Sequence, residues 1–492
     1  MNKKNDQLAA DNIRALAISM VEKANSGHPG GPMGGADYMH ILYSEFFNYD
    51  PSDMAWPFRD RFFMDAGHLS PLLYAQYYLL GNYSKTDIQS FRQWGSVTPG
   101  HPEVDVNRGI ENTSGPLGQG HTMGVGAAIA AKFLEARFGD WMNHKIYGFI
   151  SDGGVQEEIS QGAGRIAGHL GLNNFIMFYD SNDVQLSTKT DEVTSEDTAM
   201  KYRAWGWKVV TIDGHDHDEI RNALKEANAE TEKPTLIIGK TIMGKGCVTA
   251  DGTIYEGYTE LHGKPIGDTG ADFVKTLINL GANPEDEFAI YSDVEASYKE
   301  LIANKIQKAQ VRKQEIASWK SGNAALSDKL DMFLSGKLPE LDFESIAYKE
   351  GLATRAASAN VLGYLAGMAN GMALHGGVIP VVATFFVFSD YMKPAIRLSA
   401  IQELPVKFVW THDAFRVGED GPTHQPVEQE AQIRLLEKLK NHSGDASFIA
   451  LRPADSAETV VGWKMLLENN KVPSGLILSR QGIKDVPALG AS

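Results

Sequence analysis

With 492 residues the chain is too long for a single hydrophobic core and has room for roughly two to four domains. Its 43% hydrophobic and 22% charged residues suit a soluble globular protein. A net charge of −16 opposes binding to nucleic acid or to an anionic membrane surface, so an anionic small molecule would have to be held by local cations.

The opening stretch, "MNKKNDQLAADNIRALAISMVEKA", carries Leu8, Ile13, Leu16 and Met20 at helical spacing. This is an amphipathic helix and not a secretory leader. From about Gly115 to Lys240 short apolar strands alternate with helical segments: "KIYGFISDGG", "NFIMFYDSND", "WKVVTIDGHD" and "PTLIIGKTIMG". Such alternation predicts a parallel sheet covered by helices. Cys247 is the single cysteine, which excludes an intrachain disulfide and points to a reducing, cytoplasmic setting. Residues from about Asp293 to Glu344 are rich in Lys, Glu, Ala and Ser and read as exposed helices and linker. A second alternating region begins near Ile346 with "GVIPVVATFFVF", "VKFVWTHDAF", "ASFIALRPAD" and "GLILSRQG". Its longest apolar run falls well short of the ~20 residues that span a bilayer. The expected fold class is therefore α/β: two parallel-sheet domains joined by a helical linker, with boundaries at 1–315, 316–346 and 347–492.

The segment "ISDGGVQEEISQGAGRIAGHLGLNNFIMFYDSND" reads as one βαβ unit. Ile159, Ala163, Ile166, Ala167 and Leu170 mark one face of its helix. Parallel strands would bring Asp152 and Asn182 out at the same carboxyl edge, where open α/β sheets place ligands. A carboxylate and an amide oxygen are hard ligands suited to Mg²⁺. A helix starting after Gly153 and Gly154 would offer N–H groups to a diphosphate. Two turn residues after buried strands would look the same, so on this segment alone both readings stand.

Asp-Gly, a helix, and Asn about 30 residues on resembles the motif by which thiamine diphosphate enzymes hold their metal and diphosphate. Here "SDGG" replaces the usual Gly-Asp-Gly, a departure confined to Ser151. The remaining motifs are similar to those of transketolases, in transketolase order: "NSGHPGGPMGG", "MDAGHLSPLLYA", "TPGHPE", "GPLGQG", "ELHGKPIG", "THDAFRVGEDGPTHQP" and "LSRQ". The resemblance covers nearly the whole chain. It implies a thiamine diphosphate-binding fold and the reversible transfer of a two-carbon ketol unit from a ketose phosphate to an aldose phosphate, as in the pentose phosphate pathway. The implied cofactors are thiamine diphosphate and Mg²⁺ or another divalent cation such as Ca²⁺ or Mn²⁺.

By the same resemblance Asp152, Asn182 and the Val184 carbonyl would bind the metal, and Gly153 and Asn182 the diphosphate. Gly115, Pro116 and Leu117 would border the pyrimidine, and His68 and His262 would lie against the cofactor. His28, His262 and His412 would serve the chemistry, with His28 and His262 at the reacting oxygens. Phe388 would be the platform for the aminopyrimidine, with Phe385 and Tyr391 nearby. Arg355, His424 and Arg480 would hold the substrate phosphate, and His101, His412 and Asp420 would belong to the substrate site. Glu157 would link the two cofactor sites of a homodimer, whose active sites lie at the subunit interface.

Two departures from the family pattern stand out. The chain stops at "VPALGAS", where transketolases continue into a third α/β domain, so that domain is expected to be absent. A segment that in the family carries the cofactor-activating glutamate is missing at Ala366 and Gly367, and no carboxylate occurs between Gly351 and Ser389. The Gly363, Gly367, Gly371 spacing reads locally as a packing face of a helix. The expectation is a transketolase. The alternative is a thiamine diphosphate-binding relative that is catalytically weak or inactive. A synthase of the deoxyxylulose phosphate type is disfavoured by "THQP", "LHGKPIG" and "NSGHPGGPMGG".

Overall fold

A computed structural model describes residues 3–336, 369–413 and 422–484. It divides into two compact units, Met1–Asn323 and Ala324–Ser492. Among the described residues no helix is long and apolar enough to cross a membrane.

The first unit is built on a parallel sheet of β1 (Arg61–Met64), β2 (Ile146–Ser151), β3 (Phe175–Ser181), β4 (Lys208–Asp213) and β5 (Thr235–Lys240). Their order across the sheet is β1-β2-β3-β5-β4. Every residue of β2 and β3 is buried, which is why these segments read as unbroken apolar runs rather than alternating ones. Helices cover both faces. Tyr38, on the Gly30–Ile41 helix, stacks on Phe178 at 3.9 Å and lies 6.1 Å from Phe149. On the other face Gly124, in the Gln119–Phe138 helix, lets that helix settle on Phe175 and Phe63. Each large side chain so buried contributes about 1.5–3 kcal/mol.

Three local expectations change. The helix after Asp152 is two helices, Asp152–Gln156 and Glu158–His169, because Glu157 is extended (φ −64°, ψ 131°) where it passes Gly118. The apolar face expected on the second of these is split: Ala163 and Ala167 are buried, while Ile159, Ile166 and Leu170 are exposed. The stretch from Asp293 is not simply exposed. Ser292–Gly322 is one continuous helix that buries Val294, Tyr298, Lys305, Ala309 and Ile316.

The second unit holds β6 (Val381–Phe385), β7 (Lys407–Thr411), β8 (Ile449–Leu451) and β9 (Ser474–Leu478), all parallel, in the order β6-β7-β9-β8. Phe386, Phe408, Trp410, Phe448 and Ile477 form much of its core. "TFFVFSDY" does not alternate as a strand throughout. The strand ends at Phe385, and Phe386–Met392 is a 3₁₀ helix whose three-residue repeat brings Phe388 and Tyr391 to one side and turns Phe386 into the core. Of the glycine face only Gly371 is described, in the Ala369–His375 helix. Arg355, Gly363, Ala366, Gly367 and Asp420 lie outside the described residues.

Candidate active site

The carboxyl edge of the first sheet collects oxygen ligands. β2 and β3 are adjacent, with Ser151 opposite Asp180, so Asp152 and Asn182 emerge together. Asp152 is buried and accepts from the Tyr179 hydroxyl (2.5 Å) and from the backbone N–H groups of Asn182 and Asp183 (both 3.1 Å). The Asn182 amide is oriented by its own contacts. Nδ2 donates to Asp180 (2.9 Å), while Oδ1 turns back toward the Val184 N–H (3.1 Å). Burial is the main cause that pushes the Asp152 carboxyl up to about 6 and Asp180 up to about 7. Both remain short of compensating charge, so a cation beside Asp152 would relieve the cost of its burial.

A glycine-rich loop runs past this edge. At Gly153 a Cβ would stand 2.9 Å from the Leu117 side chain, and at Gly154 one would stand 2.5 Å from Asp65 Oδ1. Asp65, at the end of β1, accepts from the N–H groups of Gly118 (3.0 Å) and His121 (2.9 Å), and so fastens the Gly115–Leu117 loop to the sheet. Gly115 also approaches His101, whose ring would lie 3.9 Å from a Cβ there. Gly115 and Leu117 are half-buried, and Pro116 and Glu157 are exposed.

Four histidines from four separate motifs converge. Ring centres lie 5.0 Å apart for His28 and His68, 5.5 Å for His28 and His262, 5.3 Å for His68 and His262, and 6.5 Å for His28 and His101. Burial, followed by the neighbouring cations and imidazoles, lowers His28 to about 4. Burial lowers His262 to about 4, puts His68 well below its ordinary value, and lowers His101. All four are neutral imidazoles at neutral pH, each with one N–H donor and one acceptor nitrogen. Nδ1 of His28 and Nδ1 of His262 are buried without a hydrogen-bond partner among the described residues. Such atoms cost free energy unless a bound molecule meets them.

In the second unit Phe385, Thr411 and Leu478 lie side by side at the carboxyl ends of β6, β7 and β9. His412 follows Thr411, and Arg480, half-buried, stands two residues past β9. His412 lies 4.3 Å from Phe385, ring centre to ring centre. His424 lies 5.7 Å from Phe385 and 5.3 Å from Phe388, and Phe388 lies 6.1 Å from Tyr391. Tyr391 is 84% exposed, an aromatic face with nothing of this unit laid over it.

Residues 5–339 match the family model of the transketolase thiamine diphosphate binding domain, and residues 364–485 that of the transketolase pyrimidine binding domain. A transketolase of Halalkalibacterium halodurans is 39% identical over 540 residues, covering 98% of this chain and 78% of its own length. The chain belongs to the transketolase family. Among solved structures, transketolase from Leishmania mexicana superposes with a TM-score of 0.90 at 32% identity, over 99% of this chain and 78% of that one. Transketolase of Pichia stipitis in complex with sedoheptulose-7-phosphate gives 0.87 at 32% identity, over 98% and 78%.

The transketolase is thus a transferase of ketol groups with a thiamine diphosphate-binding domain, and of the two readings left open by the missing segment the comparisons favour the active enzyme. The match to the Halalkalibacterium relative spans 540 positions against 492 residues here, so at least 48 positions of that relative have no counterpart in this chain.

Sequence reasoning missed Asp65, Tyr179 and Asp180, all of which support the site through side-chain contacts. Asp65 was within sight, inside "MDAGHLSPLLYA". β1 went unrecognised because its four residues, "RFFM", sit between charged neighbours, and without that strand Asp65 has no edge to emerge from.

Proposed function

We propose that this transketolase moves a two-carbon ketol unit between sugar phosphates of the pentose phosphate pathway, as a homodimer, with a divalent cation at Asp152, Asn182 and the Val184 carbonyl. The observation that carries the reading is the meeting of four neutral imidazoles in the same unit as a metal-type oxygen set. The residues fit the cofactor. The metal position offers one buried carboxylate and neutral oxygens, the pattern that leaves room for phosphate oxygens and water on Mg²⁺. Gly153, packed against the Leu117 side chain, opens the helix that follows Asp152, where backbone N–H groups would meet a diphosphate. Bound there, thiamine diphosphate supplies the electron sink that makes a carbon–carbon bond next to a ketose carbonyl breakable.

The protein's own groups do the rest. Neutral His28 and His262 accept a proton from a sugar hydroxyl or donate one to a carbonyl oxygen, work worth about 10²–10⁴ in rate. Phe388, with Phe385 and Tyr391, presents aromatic surface to the aminopyrimidine. His412 and His101, with Asp420, recognise sugar hydroxyls. Arg480, Arg355 and His424 take the phosphate, the arginines through their bidentate fork. Substrates of this class accord with the sedoheptulose-7-phosphate found in the Pichia stipitis enzyme.

Homodimer assembly is supported by the exposed Ile159, Ile166 and Leu170 on the helix that follows Glu157, apolar groups that a partner would cover. The test is a titration of metal-free protein with thiamine diphosphate, with and without Mg²⁺, followed by an assay of ketol transfer between a ketose phosphate and an aldose phosphate. Metal-dependent binding with transfer is expected. Binding that ignores the metal would overturn the assignment of Asp152 and Asn182.

A further inference from the structure

The histidine cluster is braced by a residue in an unfavourable backbone conformation. Arg92 has φ 60°, in the left-handed region that long side chains rarely occupy and that persists where surrounding structure enforces it. That conformation sends two consecutive side chains to two different loops. Phe91 turns inward, 1% exposed, beneath Gly27, where a Cβ would stand 3.2 Å from its ring. Arg92 lies across Gly100, where a Cβ would meet Nε at 2.6 Å and Cζ at 2.7 Å. Its Nη1 donates to Ser26 Oγ (3.2 Å), and its backbone N–H donates to the Thr98 carbonyl (3.0 Å). Nε is buried without a partner among the described residues. Ser26 and Gly27 lead into His28, and Gly100 leads into His101, so one side chain touches both histidine-bearing loops.

We propose that Arg92 is a positioning residue for ketol transfer, fixing the His28 and His101 rings relative to each other and placing a permanent cation against both. It acts through the imidazoles rather than on the reacting atoms. Electrostatics point the same way. Burial is the larger cause of the lowered His28 and His101 values, and the Arg92 charge adds to both. The titratable and charged groups facing His28 are His262, Arg92, His101 and His68, and those facing His101 are Arg92, His28 and His68. Lysine in place of Arg92 would keep the charge without the planar fork that lies on Gly100. Glycine or asparagine would relax the backbone and remove the cation.

The experiment is histidine side-chain NMR of the whole 492-residue chain against pH for wild type, R92G, R92N and R92K, with His28 and His101 assigned through H28N and H101N. Arg92→Gly is expected to keep or raise the thermal midpoint, because the strain goes. In Arg92→Gly and Arg92→Asn the His28 and His101 titrations should move up toward the ordinary value near 6.5, while buried His121 stays in place. Arg92→Lys should leave the titrations low yet reduce kcat/KM at least tenfold. Unchanged titrations of both histidines in folded Arg92→Gly or Arg92→Asn protein would overturn the proposal, as would Arg92→Lys at wild-type kcat/KM. The inference rests on the reading of His28 and His101 as substrate-facing groups, but the NMR readout does not require turnover. Shifted titrations in a protein without ketol transfer would overturn that reading and leave intact only the placement of the Arg92 cation against His28 and His101.

Discussion

At the scale of single residues, burial decides the chemistry. A free imidazole is half-protonated near 6.5, but His28 and His262 are lowered to about 4, so both remain proton acceptors throughout the neutral range. The sign of the consequence is fixed. As pH falls, kcat/KM should hold through 6.5 and fall only as it approaches about 4. A pH profile of kcat/KM checks this, and a clear loss centred on 6.5 assignable to either ring would contradict the burial argument. His28→Asn and His262→Asn should each lower kcat/KM by about 10²–10⁴ without changing circular dichroism or the thermal midpoint. Asp152→Ala removes the one carboxylate of the proposed metal set. Thiamine diphosphate affinity in the presence of Mg²⁺, read by tryptophan fluorescence, should drop at least about 100-fold and lose its dependence on the metal.

At the scale of elements, close backbone approach holds the Gly115–Leu117 loop. Gly120 lies where a Cβ would stand 2.4 Å from Asp65 Cα and 2.5 Å from the Met64 carbonyl oxygen. Gly120→Ala must push the Gln119–Phe138 helix off β1, costing about 1–3 kcal/mol in urea denaturation and weakening thiamine diphosphate binding as the Gly115–Leu117 loop shifts. These elements were unequally legible in the sequence. β2 and β3 were readable because full burial makes them continuous apolar runs, and from them the pairing of Asp152 with Asn182 followed. The 3₁₀ turn at Phe386 was not readable, since aromatics at strand spacing and at 3₁₀ spacing differ only by what packs beneath them. The break at Glu157 was hidden for a similar reason: there the chain passes close to Gly118, which is remote in sequence. Histidine motifs announced themselves through the family pattern, whereas Tyr179, Asp180 and Arg92 act by contact alone and leave no local signature.

At the scale of the molecule, the proposed homodimer would cover the exposed Ile159, Ile166 and Leu170. Replacing Ile166 and Leu170 together by Glu adds charge to exposed positions of one chain and spares its core. Sedimentation at micromolar concentration should then show a shift from dimer toward monomer, with ketol transfer falling in proportion, while each monomer keeps its unfolding cooperativity. An unchanged dimer would show that the partner covers another surface. The histidine cluster also bears on how the first unit is made. His28 comes from the loop between the first two helices, His68 and His101 from segments after β1, and His262 from beyond the last strand of the sheet. No contiguous fragment short of nearly the whole unit contains the set, and contacts so distant in sequence form only after many chain closures. Convergence of the four rings is therefore a late event of folding, complete only once the chain has closed through His262.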